Sequence, residues 1–288
     1  MEEVMPNILI SGLPGKMATL VAERLINGTY HVIRDSLTGP NQSDIFAVNG
    51  LSNFALRAPE EHEDLLSELK ELEHNSVEGL EYRTVAIDFS QLDAANRNAK
   101  LFCKYEIPFV MGTTGGDRED LMRVVMESGN TAVIAPNMAH PVVLMQTMLE
   151  QMARESPNAL EGYTLRVVES HQAGKKDTSG TAKAMVNYFR DLGVVLRGDI
   201  IKVRNPGDQL DMGVPSKDLG GHGWHTYTVR SPDGNVLLEF RHNVNGRQPY
   251  VDGTMKALDF LVGKLDETPS RERGEGKVYT MMDVLRGK

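Results

Sequence analysis

With a single cysteine, Cys103, among its 288 residues, the chain cannot form an internal disulfide. This excludes a small disulfide-stapled secreted scaffold and fits a reducing compartment. Cys103 falls in a helical pattern, where a packing role is expected. Aromatic residues are also scarce, at 6%, and carry no binding signature. Basic residues are outnumbered: 31 lysines and arginines against 40 aspartates and glutamates give a net charge of −9. That balance excludes a general nucleic-acid binder, which would show a basic face. No apolar run reaches the ~20 residues of a membrane span, so no membrane partner is expected. The N-terminus lacks the basic-then-apolar pattern of a secretion signal, because a strand starts by Asn7. The expected location is the cytoplasm, or the plastid stroma for a natural precursor that carries a transit peptide.

What the chain does have is an alternation of short apolar runs and amphipathic stretches. Asn7-Ile8-Leu9-Ile10-Ser11 reads as a buried strand. Gly12-Leu13-Pro14-Gly15-Lys16-Met17-Ala18 follows, and then a helix through Ile26. Strand, glycine turn and helix open a dinucleotide-binding unit, in which the glycines let the backbone approach a pyrophosphate at the helix N-terminus. Ala18 stands in place of the third glycine. Tyr30–Arg34 reads as the second strand, whose end meets the adenosine ribose. The residues there disagree: Asp35 would accept from a 2′-hydroxyl and favours NADH, whereas Arg34, Ser36 and Thr38 suit a 2′-phosphate and favour NADPH.

Residues 38–56 are polar, with one further strand expected around Ile45–Val48. A surface helix is expected over residues 59–73. Thr84–Phe89, Pro108–Met111 and Thr131–Ala135 read as buried parallel strands separated by helices over residues 92–105 and up to Ser128. An open parallel sheet binds ligands at the carboxyl ends of its strands. The candidate cofactor residues therefore share one rim: Gly12, Gly15, Lys16, Met17, Arg34, Phe89, Ser90, Gly112, Thr114, Pro136 and Met138.

The pattern changes after Pro141. A helix over residues 141–154 is expected to bury Met145, Met148 and Met152 as a core stripe. The stretch from Asp199 to Asn243 is rich in strands and turns, including Asn205-Pro206-Gly207, and ends in a hairpin of Gly223–Val229 with Val236–Asn243. A helix over residues 252–265, a charged and flexible stretch over 264–276 and a short helix over 278–285 close the chain. The fold class is α/β: a Rossmann-like parallel-sheet domain (1–138), an α+β substrate and oligomerisation domain with a mixed or antiparallel sheet (139–251), and C-terminal helices (252–288) returning to the first.

The chemistry is expected in Glu169-Ser170-His171-Gln172-Ala173-Gly174-Lys175-Lys176-Asp177-Thr178-Ser179-Gly180-Thr181, a loop between a strand over residues 163–170 and a helix over 181–192. Histidine titrates near neutral pH and can donate a proton. A lysine offsets carboxylate charge, and a helix N-terminus binds an anion. Either Lys175 or Lys176 meets that need. A solvated loop with a helix cap is the alternative for the whole segment. No acidic or thiolate pattern accompanies His222, His225 and His242, so they are read as core or strand-surface histidines, and no metal is expected.

Taken together, these motifs resemble the dihydrodipicolinate reductase (4-hydroxy-tetrahydrodipicolinate reductase) family, in its plant-type branch. The resemblance is carried by the Gly12–Met17 fingerprint, Gly112-Thr113-Thr114-Gly115 and Pro136-Asn137-Met138. It continues through Glu169-Ser170-His171, Lys175, Asp177 and Ser179-Gly180-Thr181-Ala182 to His242, Arg247, Gly253, Tyr279 and Met282-Asp283-Val284-Leu285. Gln172 and a Ser-Gly-Thr segment one residue shorter than in many bacterial members look plant-type. The resemblance implies an NADPH- or NADH-dependent reductase of lysine and diaminopimelate biosynthesis. Hydride goes to C4 of a cyclic imine dicarboxylate and the proton comes from His171. Lys175 binds and polarises the substrate, and Ser179, Gly180 and Thr181 hold its carboxylate. A homotetramer or homodimer is implied. The competing expectations are a non-catalytic binding or assembly module on the same fold, and a reductase of a different cyclic imine.

Overall fold

The structure, a computed structural model, describes residues 5–42, 44–75, 83–113, 115–267 and 274–287. It separates into two units, Met1–Met138 with Tyr250–Lys288, and Ala139–Pro249. In chain order the first unit runs β1 (Asn7–Ser11), α1 (Lys16–Ile26), β2 (His31–Leu37), β3 (Ile45–Val48), β4 (Ser52–Arg57), α2 (His62–His74) and β5 (Thr84–Asp88). It continues with α3 (Ala95–Lys104), β6 (Phe109–Met111), α4 (Arg118–Ser128) and β7 (Thr131–Ile134). The second unit holds α5 (His140–Glu155), β8 (Thr164–His171), α6 (Gly180–Asp191), β9 (Val195–Leu196), β10 (Ile201–Val203), α7 (Pro206–Asp211), β11 (His222–Arg230) and β12 (Leu237–Asn245). The chain leaves it through α8 (Gln248–Glu267) and ends with β13 (Lys277–Tyr279) and α9 (Met281–Arg286).

Among the described residues, the first unit carries an eight-stranded sheet in the order β13-β7-β6-β5-β1-β2-β4-β3. All its neighbours are parallel except β3 with β4. Thr84-Val85-Ala86-Ile87-Asp88 is buried throughout, as expected of a central parallel strand with both faces covered. Leu9, Ala86, Phe102, Phe109, Leu121 and Val125 belong to its core. The second unit has a mixed sheet, β10-β8-β11-β12, with β9 also paired to β8. β8 is antiparallel to β11 and parallel to β9 and β10. Leu149 and Ala153 of α5 and Met185 and Phe189 of α6 pack with Val167, Tyr227 and Val229 of the sheet. Each unit thus buries its own apolar cluster. The α/β class, with a Rossmann-like sheet and a second mixed one, agrees with the sequence reading.

Several elements differ from the sequence expectation. The second strand extends to Leu37, so Asp35 and Ser36 lie within it. Residues 52–57, read as polar, form β4, whose Phe54 and Leu56 point inward. Asn205-Pro206-Gly207 is a helix start rather than a free turn: the Asn205 side chain accepts from the N–H groups of Gly207 and Asp208. The final segment is a strand, β13, followed by a capped α9, rather than one helix. Met148 and Met152 are exposed, since the buried face of α5 is formed by Val142, Val143, Leu149 and Ala153. The expected flexible stretch lies partly outside the described residues; residues 264–267 finish α8.

Candidate active site and nucleotide cavity

In the first unit, the chain turns between β1 and α1 through Gly12–Gly15. Gly12 has φ +113°, and a Cβ there would collide with the Phe89 carbonyl, so only glycine fits. Its N–H donates to the Leu37 carbonyl at 2.8 Å, and the Gly15 N–H donates to the Gly12 carbonyl at 2.8 Å. Gly15 caps α1 without a side-chain acceptor, which leaves the first-turn N–H groups available to an anion. Ala18 is fully buried against the sheet.

Asp88, at the carboxyl end of β5, is fully buried. Its carboxylate accepts from Ser90 Oγ (2.9 Å), Asn98 Nδ2 (2.8 Å) and Thr113 Oγ1 (2.5 Å). Asn98 Nδ2 also donates to Ser11 Oγ at 3.3 Å, so the network ties the ends of β1, β5 and β6 together along one rim. A cavity of about 520 Å3 opens there. It is lined by Gly12, Gly15, Phe89 and Ser90 from the predicted set, and by Thr38, Gln42, Arg97 and Asn98. The last four were not in that set. Thr38 is among the residues expected to suit a 2′-phosphate; the signal for the other three is weak, since Arg-Asn on a helix reads as surface.

Of the other predicted cofactor residues, Lys16 is exposed and Met17 half-buried in the first turn of α1. Arg34 is exposed in the middle of β2, over the Phe54 ring at 5.3 Å. Asp35 pairs with Arg57 at 2.6 Å. Gly112 follows β6, where a Cβ would strike the Phe89 ring. Pro136 is exposed, whereas Met138 is buried against Gly253 of α8. Thr114 lies outside the described residues. The cavity and its close-approach glycines fit a dinucleotide.

In the second unit, β8 ends at His171, so the histidine is held by a strand and not by a loop as expected. Strand periodicity puts Glu169 and His171 on one face. Glu169 is fully buried and has both carboxylate oxygens committed. Oε1 accepts from Arg204 Nη2, and Oε2 accepts from the Ser179 N–H at 3.0 Å. Arg204 follows β10 and also donates its Nε–H to the Lys175 carbonyl at 2.7 Å. One guanidinium therefore ties β8, the basic loop and the entry to α6 together. Gln209 of α7 donates to the His171 carbonyl at 2.7 Å. Arg204 and Gln209 could not be found from sequence, because they reach the loop only through the β8–β10 pairing.

His171 Nδ1 lies 3.1 Å from the His222 carbonyl and Nε2 lies 3.3 Å from His225 Nε2. Burial and the nearby charges of Arg204 and Lys175 push His171 down to about 4. Burial likewise lowers His222, His225 and His242. Lys175 pairs with Asp177 at 2.8 Å, and Lys176 is exposed. Ser179 is buried, Gly180 exposed and Thr181 half-buried at the start of α6, which has no side-chain cap. Glu169, His171 and His225 each place one donor atom within 4.8 Å of the others. Glu169 is at the same time engaged by Arg204 and by the Ser179 N–H, so this cluster is also part of an ion-paired network.

Two family models match the chain: "Dihydrodipicolinate reductase, N-terminus" over residues 6–138 and "Dihydrodipicolinate reductase, C-terminus" over residues 141–285. The Oryza sativa subsp. japonica protein named "Probable 4-hydroxy-tetrahydrodipicolinate reductase 2, chloroplastic" is 41% identical over 281 residues, covering 97% of this chain and 82% of that protein. "4-hydroxy-tetrahydrodipicolinate reductase 1, chloroplastic" of Arabidopsis thaliana is 38% identical over 282 residues, covering 97% of this chain and 78% of that one. Among solved structures, the dipicolinate-bound dihydrodipicolinate reductase of Paenisporosarcina sp. TG-14 superposes with a TM-score of 0.61 at 16% identity. It covers 96% of this chain and 97% of that one, a likeness of fold.

Proposed function

Since this chain belongs to the dihydrodipicolinate reductase family, an oxidoreductase family of lysine and diaminopimelate biosynthesis that uses NADH or NADPH, we propose that it reduces 4-hydroxy-tetrahydrodipicolinate through His171 and the groups around it. The carrying observation is that the His171 imidazole, the cations of Lys175 and Arg204 and a helix start without a side-chain cap lie close together inside the second unit. A dianionic ring with a reducible double bond needs these parts: counter-charge for its carboxylates and a nitrogen that can deliver a proton.

In this reading Lys175, with Ser179, Gly180 and Thr181 at the start of α6, holds the substrate carboxylates, and His171 Nε2 gives the proton. Gly12, Gly15, Lys16 and Met17 cradle the dinucleotide phosphates, with Phe89, Ser90, Gly112, Pro136 and Met138 along the remaining strand ends. Arg97 in the cavity lining supports NADPH over NADH, in a role first sought for Arg34. When bound, the reduced nicotinamide supplies the hydride. We place the enzyme in the cytoplasm or, as the plant relatives' names suggest, in the plastid stroma, as a homotetramer or homodimer.

The test is a coupled assay in which the preceding synthase condenses pyruvate with aspartate semialdehyde in the presence of NADPH or NADH. Nucleotide oxidation that depends on both precursors is the expected result. No oxidation above background with either nucleotide overturns the reading.

A further inference from the structure

His171 and His225 meet nitrogen to nitrogen, an arrangement the reaction as described so far leaves unused. The His222 carbonyl can only accept, so His171 Nδ1 carries the hydrogen in the 3.1 Å contact. In the neutral ring, His171 Nε2 is then a bare acceptor. Facing it at 3.3 Å is His225 Nε2, which must be the donor. Glu169 Oε2 lies 3.8 Å from the same His225 nitrogen. His225 is 3% exposed and the Glu169 side chain fully buried. One N–H therefore has two acceptors within reach, an imidazole lone pair and a carboxylate.

The charged and titratable groups around the pair come from every neighbouring element. Glu169 is on β8, Lys175 with its partner Asp177 on the basic loop, and Arg204 after β10. His222 and Tyr227 are on β11, and His242 on β12 stacks on His225 with ring centroids 4.5 Å apart. Burial first, and then the cations of Arg204 and Lys175, keep His171 neutral while no anion is bound. A dicarboxylate adds negative charge beside the ring, so its arrival favours a proton on His171.

We propose that His225 is a positioning residue whose Nε2–H donates to neutral His171 in the empty site and turns to Glu169 when His171 takes up a proton with the dicarboxylate. The proton comes from solvent, forms the His171 Nε2–H bond and is the one available for transfer. The turned His225 leaves that hydrogen unopposed. This rests on the reading of the second unit as the dicarboxylate site.

Calorimetric titration of the full chain with pyridine-2,6-dicarboxylate at pH 7, in buffers of different ionisation enthalpy, counts the protons taken up. Uptake approaching about one proton per site is expected for the wild type. His171→Gln should bind with none. His225→Phe keeps the ring stack but lacks the N–H, and its uptake should fall to less than about half of the wild-type value. His225→Gln restores a donor and should restore uptake. Binding heat without proton uptake in the wild type overturns the proposal alone, as does wild-type uptake in His225→Phe. Equal loss in His225→Phe and His225→Gln also overturns it, because the donor would then not matter. Absence of any binding heat in the wild type removes the dicarboxylate reading, and this proposal with it.

Discussion

Glu169 and Arg204 form a buried ion pair whose carboxylate has no water to fall back on. Removing one partner of such a pair typically costs about 3–5 kcal/mol, because the remaining charge is stranded. Arg204→Ala is therefore expected to lower the urea midpoint severely, and adding Glu169→Gln should recover part of the loss. Activity would not return with it, since Arg204 also holds the Lys175 carbonyl. His171→Gln has the opposite profile. Turnover should fall by about 10²–10⁴, the usual scale for loss of a proton-transfer group, with fluorescence-measured NADPH affinity unchanged. Equal losses in both would remove the proton-donor role. Arg97 lines the same cavity as Thr38 and Gln42, and charge-assisted hydrogen bonds are worth roughly 1.5–3 kcal/mol. Arg97→Ala should raise KM for NADPH about tenfold or more and leave KM for NADH nearly unchanged in steady-state assays.

Among the elements, α8 offers a prediction whose sign is unusual. Gly→Ala inside a helix ordinarily stabilises by about 1 kcal/mol. Gly253 sits in α8, yet a Cβ there would run into the Met138 backbone carbonyl, which cannot move without shifting the end of the β7 connection. Gly253→Ala is expected to lower the thermal midpoint instead, read by circular dichroism. Much of this architecture was legible in advance. The central strands announce themselves because both faces are apolar, and the glycine turn announces α1. β4 was missed although Phe54, Leu56 and Ala58 alternate, because serine, asparagine and arginine between them dominate the local polarity. β13 has only three residues, too few to display a period. His171 was placed in a loop because the polar run beginning at Glu169 resembles one. In the structure, β11 pairs with β8 up to His171, opposite Gly223, and extends the strand past its apolar part. The loop's partners, Arg204, Gln209 and His225, come from three later elements, and no local pattern carries that information.

Across the whole molecule, burial lowers the proton affinity of His62, His171, His222, His225 and His242. An unfolded histidine titrates near 6.5. Between that value and the lower folded ones, the unfolded chain binds more protons, so stability is fully present above about pH 6.5 and is lost as pH falls toward about 4, where His171 and His242 titrate. Asp120, held down to about 2 by Lys100 and its other hydrogen-bond partners, titrates below this window. Each such histidine contributes a slope of at most about 1.4 kcal/mol per pH unit. Thermal midpoints should therefore drop between pH 7 and pH 5. His242→Phe, which removes a half-buried ring whose two nitrogens have no hydrogen-bond partner among the described residues, should make that drop shallower. The Met138–Gly253 contact has a further meaning at this scale. The last residue of the first segment of unit one touches a residue just beyond the start of its second segment, so the ends that flank residues 139–249 lie side by side. The second unit is thus spliced into the first as a cassette, a mode of insertion that adjacent termini permit. A few linking residues between Met138 and Tyr250 would close the nucleotide fold on itself, and the cassette could be exchanged for another without redesigning the sheet that hosts it.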